Sequence, residues 1–323
     1  MSSDFRIIFM GTPEFAVASL KALIDSGFNI VAVVTAPDKR AGRGQKLQES
    51  DVKQFAKGLN LPVLQPEKLK NSEFIEQLKA FRADLQVVVA FRMLPEVIWS
   101  MPRFGTINLH ASLLPQYRGA APINWAIING DKKTGVTTFF IEREIDTGKI
   151  IYSEEVEILP DDNAGILHDK LMITGAGLLV KTVTAIRSED YPQVDQYAAI
   201  QVGTELRGAP KIFKETCKIN WDDHIEILYN LIRGLSPYPA AWTFLQNQQT
   251  KETISAKIFE TEPEIVNHAL KPGDVKSDEK THLKVAVQGG FLKIKSIQLE
   301  GKKRLGIEEF LRGFKNICSY KFV

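Results

Sequence analysis

Three polar residues have side chains suited to acid–base chemistry and to charge stabilisation: Asn108, His110 and Asp146. Apolar and polar residues alternate over 106–110 as they do in a short strand, so Asn108 and His110 project to the same face. Asp146 opens an Asp-Thr-Gly turn further along the chain. An amide, an imidazole and a carboxylate at one sheet edge can stabilise a developing oxyanion and move a proton. This chemistry requires neither a metal ion nor a covalent nucleophile.

The segment that follows Asn108 and His110 is a loop punctuated by Pro115 and Gly119. Both side chains are therefore expected near the carboxyl end of their strand, and in an open α/β sheet this is the edge where ligands bind. A single histidine in a strand is more often structural. The polar neighbours of His110, which no other of the five histidines has in a motif, favour the catalytic interpretation.

The first 140 residues alternate between predicted strands and predicted helices. The strands are expected at 6–10, 30–34, 62–64, 85–90, 106–110 and 137–141, and the helices at 15–26, 51–58, 72–81 and 122–128. The strand at 85–90 is almost wholly apolar, as expected when helices cover both faces of a sheet. The alternation predicts an α/β fold with a doubly wound, mostly parallel sheet.

The pattern changes after a polar stretch near residue 190. A helix at 224–232 is followed by short predicted strands at 241–245, 254–259, 283–287 and 291–297. Short strands at close spacing indicate a small antiparallel barrel. Because 323 residues suit two domains, we predict domains at 1–188 and 210–323 joined by a linker at 189–209.

The composition, 44% hydrophobic and 25% charged, is that of an ordinary globular enzyme. Cys217 and Cys318 form neither a disulfide framework nor a CxxC pair, which favours a reducing compartment. The N-terminus lacks the apolar core of a signal peptide, and apolar runs such as 87–91 are too short to span a bilayer. We therefore expect a cytoplasmic protein with no membrane partner.

The sequence lacks the motifs that bind several classes of cofactor. No GxGxxG follows the first strand, and Pro13 at the start of the first helix is explained by capping, so a dinucleotide site is not expected. There is no GxxxxGK[ST], and the histidines and cysteines do not have zinc-site spacing. We predict neither ATP hydrolysis nor metal catalysis.

The net charge of +2 is unevenly distributed. From residue 210 onward there are 18 lysines and arginines against 14 acidic residues, and 293–323 holds eight basic and three acidic residues, including Lys302, Lys303 and Arg304. A positive C-terminal segment suits contact with a phosphate backbone. On charge alone, however, a solvated face is the favoured interpretation.

Several motifs of this chain resemble those of a known family. The signature of the folate-dependent formyltransferases is similar to NLHASLLP at 108–115, YRGAAP at 117–122 and DTG at 146–148. FMGTPEFA at 9–16 and PDKRAGRG at 37–44 resemble the methionyl-tRNA formyltransferases within that superfamily. A weaker match begins at Lys271-Pro272-Gly273.

The resemblance implies a Rossmann-like formyltransferase domain followed by an OB-like barrel, with Asn108, His110 and Asp146 as the catalytic set. It implies transfer of the formyl group of 10-formyltetrahydrofolate, a cosubstrate, to the free amino group of initiator methionyl-tRNA. The product, N-formylmethionyl-tRNA, serves translation initiation. We expect a monomer that binds folate and this tRNA without a metal ion.

The resemblance also implies two walls of a pteridine pocket. One wall consists of Ser112, Leu113, Leu114 and Pro115, although periodicity alone favours an ordinary strand exit with a leucine pair in the core. The second wall consists of Phe91, Arg92, Met93 and Leu94. Here the sequence departs from the family, because Phe91-Arg92 replaces the more common Tyr-Gly pair and the loop is one residue shorter.

The segment 39–46 is a basic loop that contains two glycines, Gly42 and Gly44. Such a loop suits close approach to nucleic-acid phosphates or a base edge. Taken alone it is equally a surface excursion, and the resemblance to the acceptor-stem loop of the family favours tRNA. Arg43 is then the residue expected to read or position a base. The full set of residues expected to contact tRNA is Lys39, Arg40, Arg43 and Lys46 with Lys302, Lys303 and Arg304.

Other functions use the same residues. Formylation of an amino-sugar nucleotide requires the same trio, and the basic segments favour RNA over it. A glycinamide ribonucleotide formyltransferase would not need the C-terminal domain, and a folate-dependent hydrolase would use water as acceptor. A non-catalytic RNA- or folate-binding protein on the same scaffold is disfavoured by the intact trio.

Overall fold

The computed structural model describes residues 5–41, 46–198, 200, 203 and 205–323, without the side chains of 40, 41 and 46. The chain divides into two compact units. The first comprises Met1–Ala120, Thr134–Glu157 and His168–Ala209, and the second comprises Ala121–Lys133, Ile158–Leu167 and Pro210–Val323.

The helices have the following bounds: α1 Glu14–Asp25, α2 Asp51–Gly58, α3 Ser72–Ala80, α4 Glu96–Trp99, α5 Pro122–Ile128, α6 Ala164–Arg187, α7 Ile225–Leu235 and α8 Ile307–Gly313. The strands of the first unit are β1 Arg6–Gly11, β2 Asn29–Val34, β3 Lys39–Ala41, β4 Lys46–Gln48, β5 Val63–Leu64, β6 Leu85–Val89, β7 Thr106–His110, β8 Arg118–Gly119, β9 Lys133–Phe140, β10 Ile150–Glu157 and β11 Gly208–Ala209. Side-chain oxygens of Ser50 and Asn71 accept backbone N–H bonds and so fix the starts of α2 and α3.

The central sheet of the first unit has the order β10-β9-β7-β6-β1-β2-β5. The five strands from β7 to β5 run parallel, and β9 joins β7 antiparallel, with Asn108 opposite Phe139 and His110 opposite Thr137. Every residue of β6 is buried, as both-sided cover by helices requires. The prediction of a mostly parallel α/β sheet is confirmed.

The longest elements that were not predicted are the strand β10 and the 24-residue helix α6, most of which belongs to the first unit. The sequence of α6 contains Gly165, Gly175 and Gly177 and several β-branched residues, all of which have low helix propensity. Its apolar face is buried nonetheless, with Leu167, Leu171 and Leu179 fully inaccessible. Burial has therefore outweighed propensity.

The segment predicted as a linker, 189–209, is ordered against the first unit where the structure describes it. Val194 forms a bridge with Ile150, β11 pairs parallel with β8, and Gln196 is only 1% exposed. The polar composition that suggested a linker arises in part because Gln196 hydrogen-bonds to backbone carbonyls in the interior.

In the second unit, β12 Ala241–Asn247, β13 Thr253–Ile265, β14 Val275–Ser277, β15 Leu283–Val287, β16 Gly290–Leu299, β17 Leu305–Gly306 and β18 Tyr320–Phe322 form an antiparallel sheet. Its order is β14-β15-β16-β13-β12-β18, with β17 on β16. A backbone hydrogen bond from Phe322 N to Gly273 O and the neighbouring bridge between Asp274 and Lys321 nearly close it into a barrel, which confirms the predicted C-terminal fold. Gly273 has φ +85°, and a Cβ there would lie 2.2 Å from the Phe322 oxygen, so the Lys-Pro-Gly motif supplies the closure.

The second unit also includes α5, which the predicted boundary at 188 had assigned to the first domain. Asn124 Nδ2 donates to the Gly234 carbonyl of α7 over 2.8 Å, and a Cβ on Gly234 would lie 2.6 Å from Ile128 Cγ1. The glycine therefore permits close helix packing, a long-range effect that local periodicity does not reveal. The boundaries 1–188, 189–209 and 210–323 stay a prediction.

Cys217 is buried and Cys318 is exposed, and both are free thiols. No helix in the described part of the chain combines the length and the apolar character needed to cross a membrane.

Candidate active site

His110 is the last residue of β7 and is buried. Its Nε2 lies 2.8 Å from the carbonyl oxygen of Tyr117. Because a carbonyl can only accept, Nε2 must carry the hydrogen of this bond. Nδ1 is then the ring nitrogen that remains for other chemistry.

Asp146 faces that nitrogen. Its Oδ2 accepts the backbone N–H of Gly119 at 2.9 Å and lies 3.9 Å from His110 Nδ1. The latter distance is too long for a direct hydrogen bond. Asp146 has φ +55°, a left-handed conformation that Asp and Asn tolerate better than most residues. The structure thus brings the predicted imidazole and carboxylate together, and we call His110, Asp146 and 117–119 the catalytic corner.

Asn108 lies two residues before His110 on β7 and is half-buried. Within the described residues its amide makes no hydrogen bond, so both its donor and acceptor groups remain for a bound molecule. A half-buried amide left in this way, two residues before His110 on the same strand, suits contact with a developing oxyanion.

The loop from Ser112 to Pro115 is held by its own hydrogen bonds. Ser112 Oγ donates to the Gln116 carbonyl at 2.6 Å, so this hydroxyl is used within the loop. Thr137 Oγ1 on β9 donates to Ser112 O at 2.7 Å and accepts from Leu114 N at 3.2 Å. Leu114 is buried with Phe139 and Ile150, whereas Leu113 and Pro115 are half-buried.

The second predicted wall divides into different environments. Leu94 is buried in the core beside β1 and β6, Phe91 packs against that core, and Met93 is 72% exposed. The Arg92 guanidinium donates to the backbone carbonyls of Pro66 and Glu67, and burial lowers its pKa from the ordinary value. Arg92 therefore anchors the segment between β5 and α3.

The predicted tRNA loop lies partly outside the described residues. Arg43 is not described, nor are the side chains of Arg40 and Lys46; Lys39 is exposed. The base of the β3–β4 hairpin is anchored by Asp38, which binds Lys53 at 2.5 Å and Gln65 at 2.7 Å. Hydrogen bonds from Lys53 and then Gln65 hold the pKa of Asp38 below its ordinary value.

The C-terminal basic group, Lys302, Lys303 and Arg304, is not uniform. Arg304 lies over the Phe259 ring at 4.4 Å and donates to Ser296 Oγ, so it is engaged within the barrel. Lys303 pairs with Glu309 at 3.0 Å while remaining largely exposed, and Lys302 is exposed. Lys302 and Lys303 are the members of this group that remain available to a phosphate.

Sequence reasoning missed two residues that hold the catalytic corner, Arg118 and Gln196. Arg118 belongs to the quoted YRGAAP motif, which was the available signal. Gln196 lies 50 residues beyond Asp146 without any motif of its own. In the described chain no group of three or more His, Cys, Asp or Glu side chains is arranged to hold a metal ion.

Comparison with known families assigns the class. The formyl transferase family model matches residues 5–183, and the model of the formyl transferase C-terminal domain matches residues 211–315. Together they match most of both compact units and include the whole catalytic corner. The fold and site therefore define a formyl transferase.

Curated relatives narrow the class. The methionyl-tRNA formyltransferase of Bacteroides thetaiotaomicron is 56% identical over 318 residues, covering 98% of each chain. That of Flavobacterium johnsoniae is 50% identical over 308 residues, covering 95% of this chain and 96% of the relative. The chain belongs to the methionyl-tRNA formyltransferase family.

Solved structures share the fold at lower identity. HypX from Aquifex aeolicus in complex with tetrahydrofolic acid has a TM-score of 0.65 at 16% identity, covering 96% of this chain and 47% of HypX. WlaRD, a sugar 3N-formyl transferase crystallised with dTDP and 5-N-formyl-THF, has a TM-score of 0.63 at 20% identity, covering 94% and 100%. These likenesses concern the fold.

Proposed function

We propose that this chain transfers the formyl group of 10-formyltetrahydrofolate to the α-amino group of initiator methionyl-tRNA. The observation that carries the proposal is the approach of Asp146 to His110 at the end of β7, two residues after Asn108, in a chain 56% identical to a methionyl-tRNA formyltransferase over almost its whole length. The product, N-formylmethionyl-tRNA, belongs to translation initiation.

Each catalytic residue has a role that its geometry supports. When bound, 10-formyltetrahydrofolate supplies a formyl carbon attached to N10. Asn108 donates its amide hydrogens to the formyl oxygen as the oxygen gains negative charge, and a protonated His110 donates through Nδ1, because Tyr117 occupies Nε2. Asp146 stabilises the imidazolium and takes the proton from the attacking amine, directly or through water. The amine nitrogen gains the bond to carbon that N10 loses, and the proton ends on N10.

The folate is placed between two loops that follow adjacent parallel strands. Phe91–Leu94 follows β6 and Ser112–Pro115 follows β7, so both lie at the carboxyl edge of the sheet. Leu94 and Leu114 are buried and belong to the core, while the Met93 side chain is exposed and free to cover a ligand. The unpartnered Asn108 amide at the same edge fits the polar donor that such an apolar pocket needs.

In this proposal the tRNA contacts Lys39, Arg40, Arg43 and Lys46 of segment 39–46 and Lys302 and Lys303 of the barrel, whereas Arg304 is engaged within the barrel. Support comes from the firm base of the hairpin at Asp38 and from the exposure of Lys39, Lys302 and Lys303. Arg43→Ala is expected to weaken use of methionyl-tRNA while folate binding persists. Equal loss of both would instead assign Arg43 a folding role.

The decisive experiment is a formylation assay. Purified protein is incubated with 10-formyltetrahydrofolate carrying a labelled formyl group and one acceptor at a time: initiator methionyl-tRNA, elongator methionyl-tRNA or a dTDP-amino sugar. Label in initiator methionyl-tRNA alone is the expected result. Label in the sugar nucleotide alone, or release of formate without an acceptor, would overturn the proposal.

The same proposal places the protein in the cytoplasm as a monomer. The compartment follows from the tRNA substrate, and each compact unit contains its own core, which favours a chain that works alone. Light scattering after size-exclusion chromatography tests the monomer, with 36.2 kDa expected and a doubled mass contradicting it.

A further inference from the structure

Gln196 is a buried polar side chain to which the proposed reaction assigns no role. It is 1% exposed and lies within the segment whose sequence suggests a linker. Its Nε2 donates to the carbonyls of Asp146, at 2.9 Å, and Gly148, at 2.7 Å. Its Oε1 accepts from Arg118 Nη2 at 2.7 Å and Nε at 3.1 Å. All four hydrogen-bonding positions of the amide are therefore used.

The two carbonyls that Gln196 binds belong to the turn of the catalytic aspartate. Asp146 is held at φ +55°, a conformation that persists in a non-glycine residue only where the surroundings enforce it. Gly148 passes so close to β9 that a Cβ would lie 1.8 Å from the Phe140 oxygen. A single amide thus fixes both ends of a three-residue turn whose backbone has little freedom.

We call the pair of hydrogen bonds from Gln196 to the carbonyls of Asp146 and Gly148 the clamp. Arg118 connects this clamp to the His110 imidazole. The residue before it, Tyr117, accepts the His110 Nε2 hydrogen bond, and the residue after it, Gly119, donates its N–H to Asp146 Oδ2. Between them the Arg118 side chain binds Gln196 and lies 5.3 Å from the Tyr197 ring. Arg118, Gly119, Asp146 and Gln196 therefore form a closed circuit within the first unit, and His110 joins it through its hydrogen bond to Tyr117.

We propose that Gln196 is a positioning residue that sets the Asp146 carboxylate against His110 Nδ1; the role rests on the proposed formyl transfer. The separation of 3.9 Å leaves the two groups close without a direct bond, so a small displacement of the turn changes their alignment toward a reacting group. A misplacement of about 1 Å is enough to slow catalysis roughly 100-fold.

The chemistry of the site explains why glutamine stands at this position. Glutamate would present a carboxylate to two carbonyl oxygens, all of them acceptors. Methionine has a similar length but lacks both donors, and asparagine is shorter by one methylene. Gln196→Met is therefore the variant that keeps the volume and removes the clamp, and Gln196→Asn removes it with a smaller side chain.

The test is a kinetic double-mutant cycle on the full chain. Gln196→Met is expected to lower kcat roughly 10- to 100-fold, with KM for both substrates unchanged within about twofold. Because Gln196 acts through Asp146, Gln196→Met added to Asp146→Asn should cause little further loss. Gln193→Met, an exposed change three residues away, is the matched control and should be as active as the natural chain.

The outcomes separate this role from a structural one and from failure of the proposed function. Full activity in Gln196→Met, or a loss that multiplies that of Asp146→Asn, would overturn the positioning role. If Gln196→Met melts below the assay temperature, Gln196→Asn replaces it in the same cycle under the same criteria. An inactive natural chain would reject the proposed function, whereas an active one with an unaffected Gln196→Met would reject only this inference.

Discussion

Around His110 and Asp146, polar side chains are buried and bind backbone groups, whereas on the barrel charged side chains bind each other at the surface. The charged side chains on the barrel, which we call the charge ladder, lie on β13, β15 and β16. It consists of Glu262, Glu264, Lys284, Lys293 and Lys295. Lys293 lies between the two glutamates, at 2.8 Å from Glu262 and 3.1 Å from Glu264.

The two regions differ in what a lost partner costs. A buried group deprived of its hydrogen bond keeps the full penalty of desolvation, so each partner in the catalytic corner fixes the direction of another. An exposed ion pair is screened by water and contributes about 0–1 kcal/mol. Polar groups of the corner therefore determine geometry, while those of the ladder adjust stability and solubility.

The largest effect is expected from Asp146→Asn. Asparagine tolerates the left-handed backbone and can still accept the Gly119 N–H, so the fold should persist. Loss of the charge should lower turnover roughly 10²- to 10⁴-fold. Formylation rates and a thermal melt measure the two quantities. Near-normal turnover in a folded variant would remove Asp146 from the mechanism.

Gly119→Ala should disturb both stability and activity. Gly119 has φ +126°, and a Cβ there would lie 2.5 Å from the Ala209 oxygen, so we expect a loss of about 1–3 kcal/mol of unfolding free energy. The N–H that binds Asp146 would shift with it. Urea unfolding and kcat are the measurements.

Gly177→Ala is the matched control for that substitution. Gly177 lies in α6 with open space around its Cα, so alanine there should stabilise the protein by up to about 1 kcal/mol. A similar loss of stability in both variants would show that the close approach at Gly119 is not the cause.

A smaller effect, on KM for methionyl-tRNA, is expected to distinguish a lysine without an ion pair among the described residues from a paired lysine on the barrel. Lys302→Ala should raise KM for methionyl-tRNA and reduce the slope of log KM against log salt by about 0.8, as loss of one phosphate contact predicts. Lys295, which binds Glu262 at 2.6 Å in the ladder, should give no such change when replaced by alanine. Equal slopes for the two variants would count against a tRNA contact at Lys302.

The smallest effect, on the free energy of unfolding, is expected for a substitution within the charge ladder. Hydrogen bonds from Lys293 and then Lys295 lower the pKa of Glu262 from 4.5 to about 2. A lowered carboxylate pKa stabilises the fold above pH 4.5, and this stabilisation is lost as the pH falls toward 2. Glu262→Gln should cost on the order of 0.5 kcal/mol at pH 7. Urea midpoints at pH 7 and pH 2.5 measure it; a difference that grew on acidification would contradict the assignment.

The contrast also explains how much the sequence could predict. Asn108 and His110 were found because strand alternation is a local pattern, and Asp146 because its turn forms a motif. The strand and helix patterns predicted both folds, which the family resemblance also implied, and the resemblance supplied the activity. The roles of these residues, of the folate walls and of the tRNA contacts stay predictions.

The features that sequence reasoning missed depend on contacts between residues that are far apart along the chain. Gln196 acts on a turn 50 residues earlier, and its polar neighbours suggested a linker. Helix α5 packs on α7 through Gly234, about 110 residues away, and α6 is stabilised by burial that its glycines do not suggest. Such contacts are decided by packing in three dimensions, which single-sequence patterns do not contain.

The different exposure of the two cysteines allows one of them to be labelled selectively with a fluorophore. Burial raises the pKa of the Cys217 thiol and removes it from solvent, whereas Cys318 is exposed, with a pKa that is also raised. A maleimide fluorophore applied at mildly alkaline pH should therefore modify one position, on the barrel, without mutagenesis. A change in its emission on titration with acceptor nucleic acid would report docking in real time, independently of turnover.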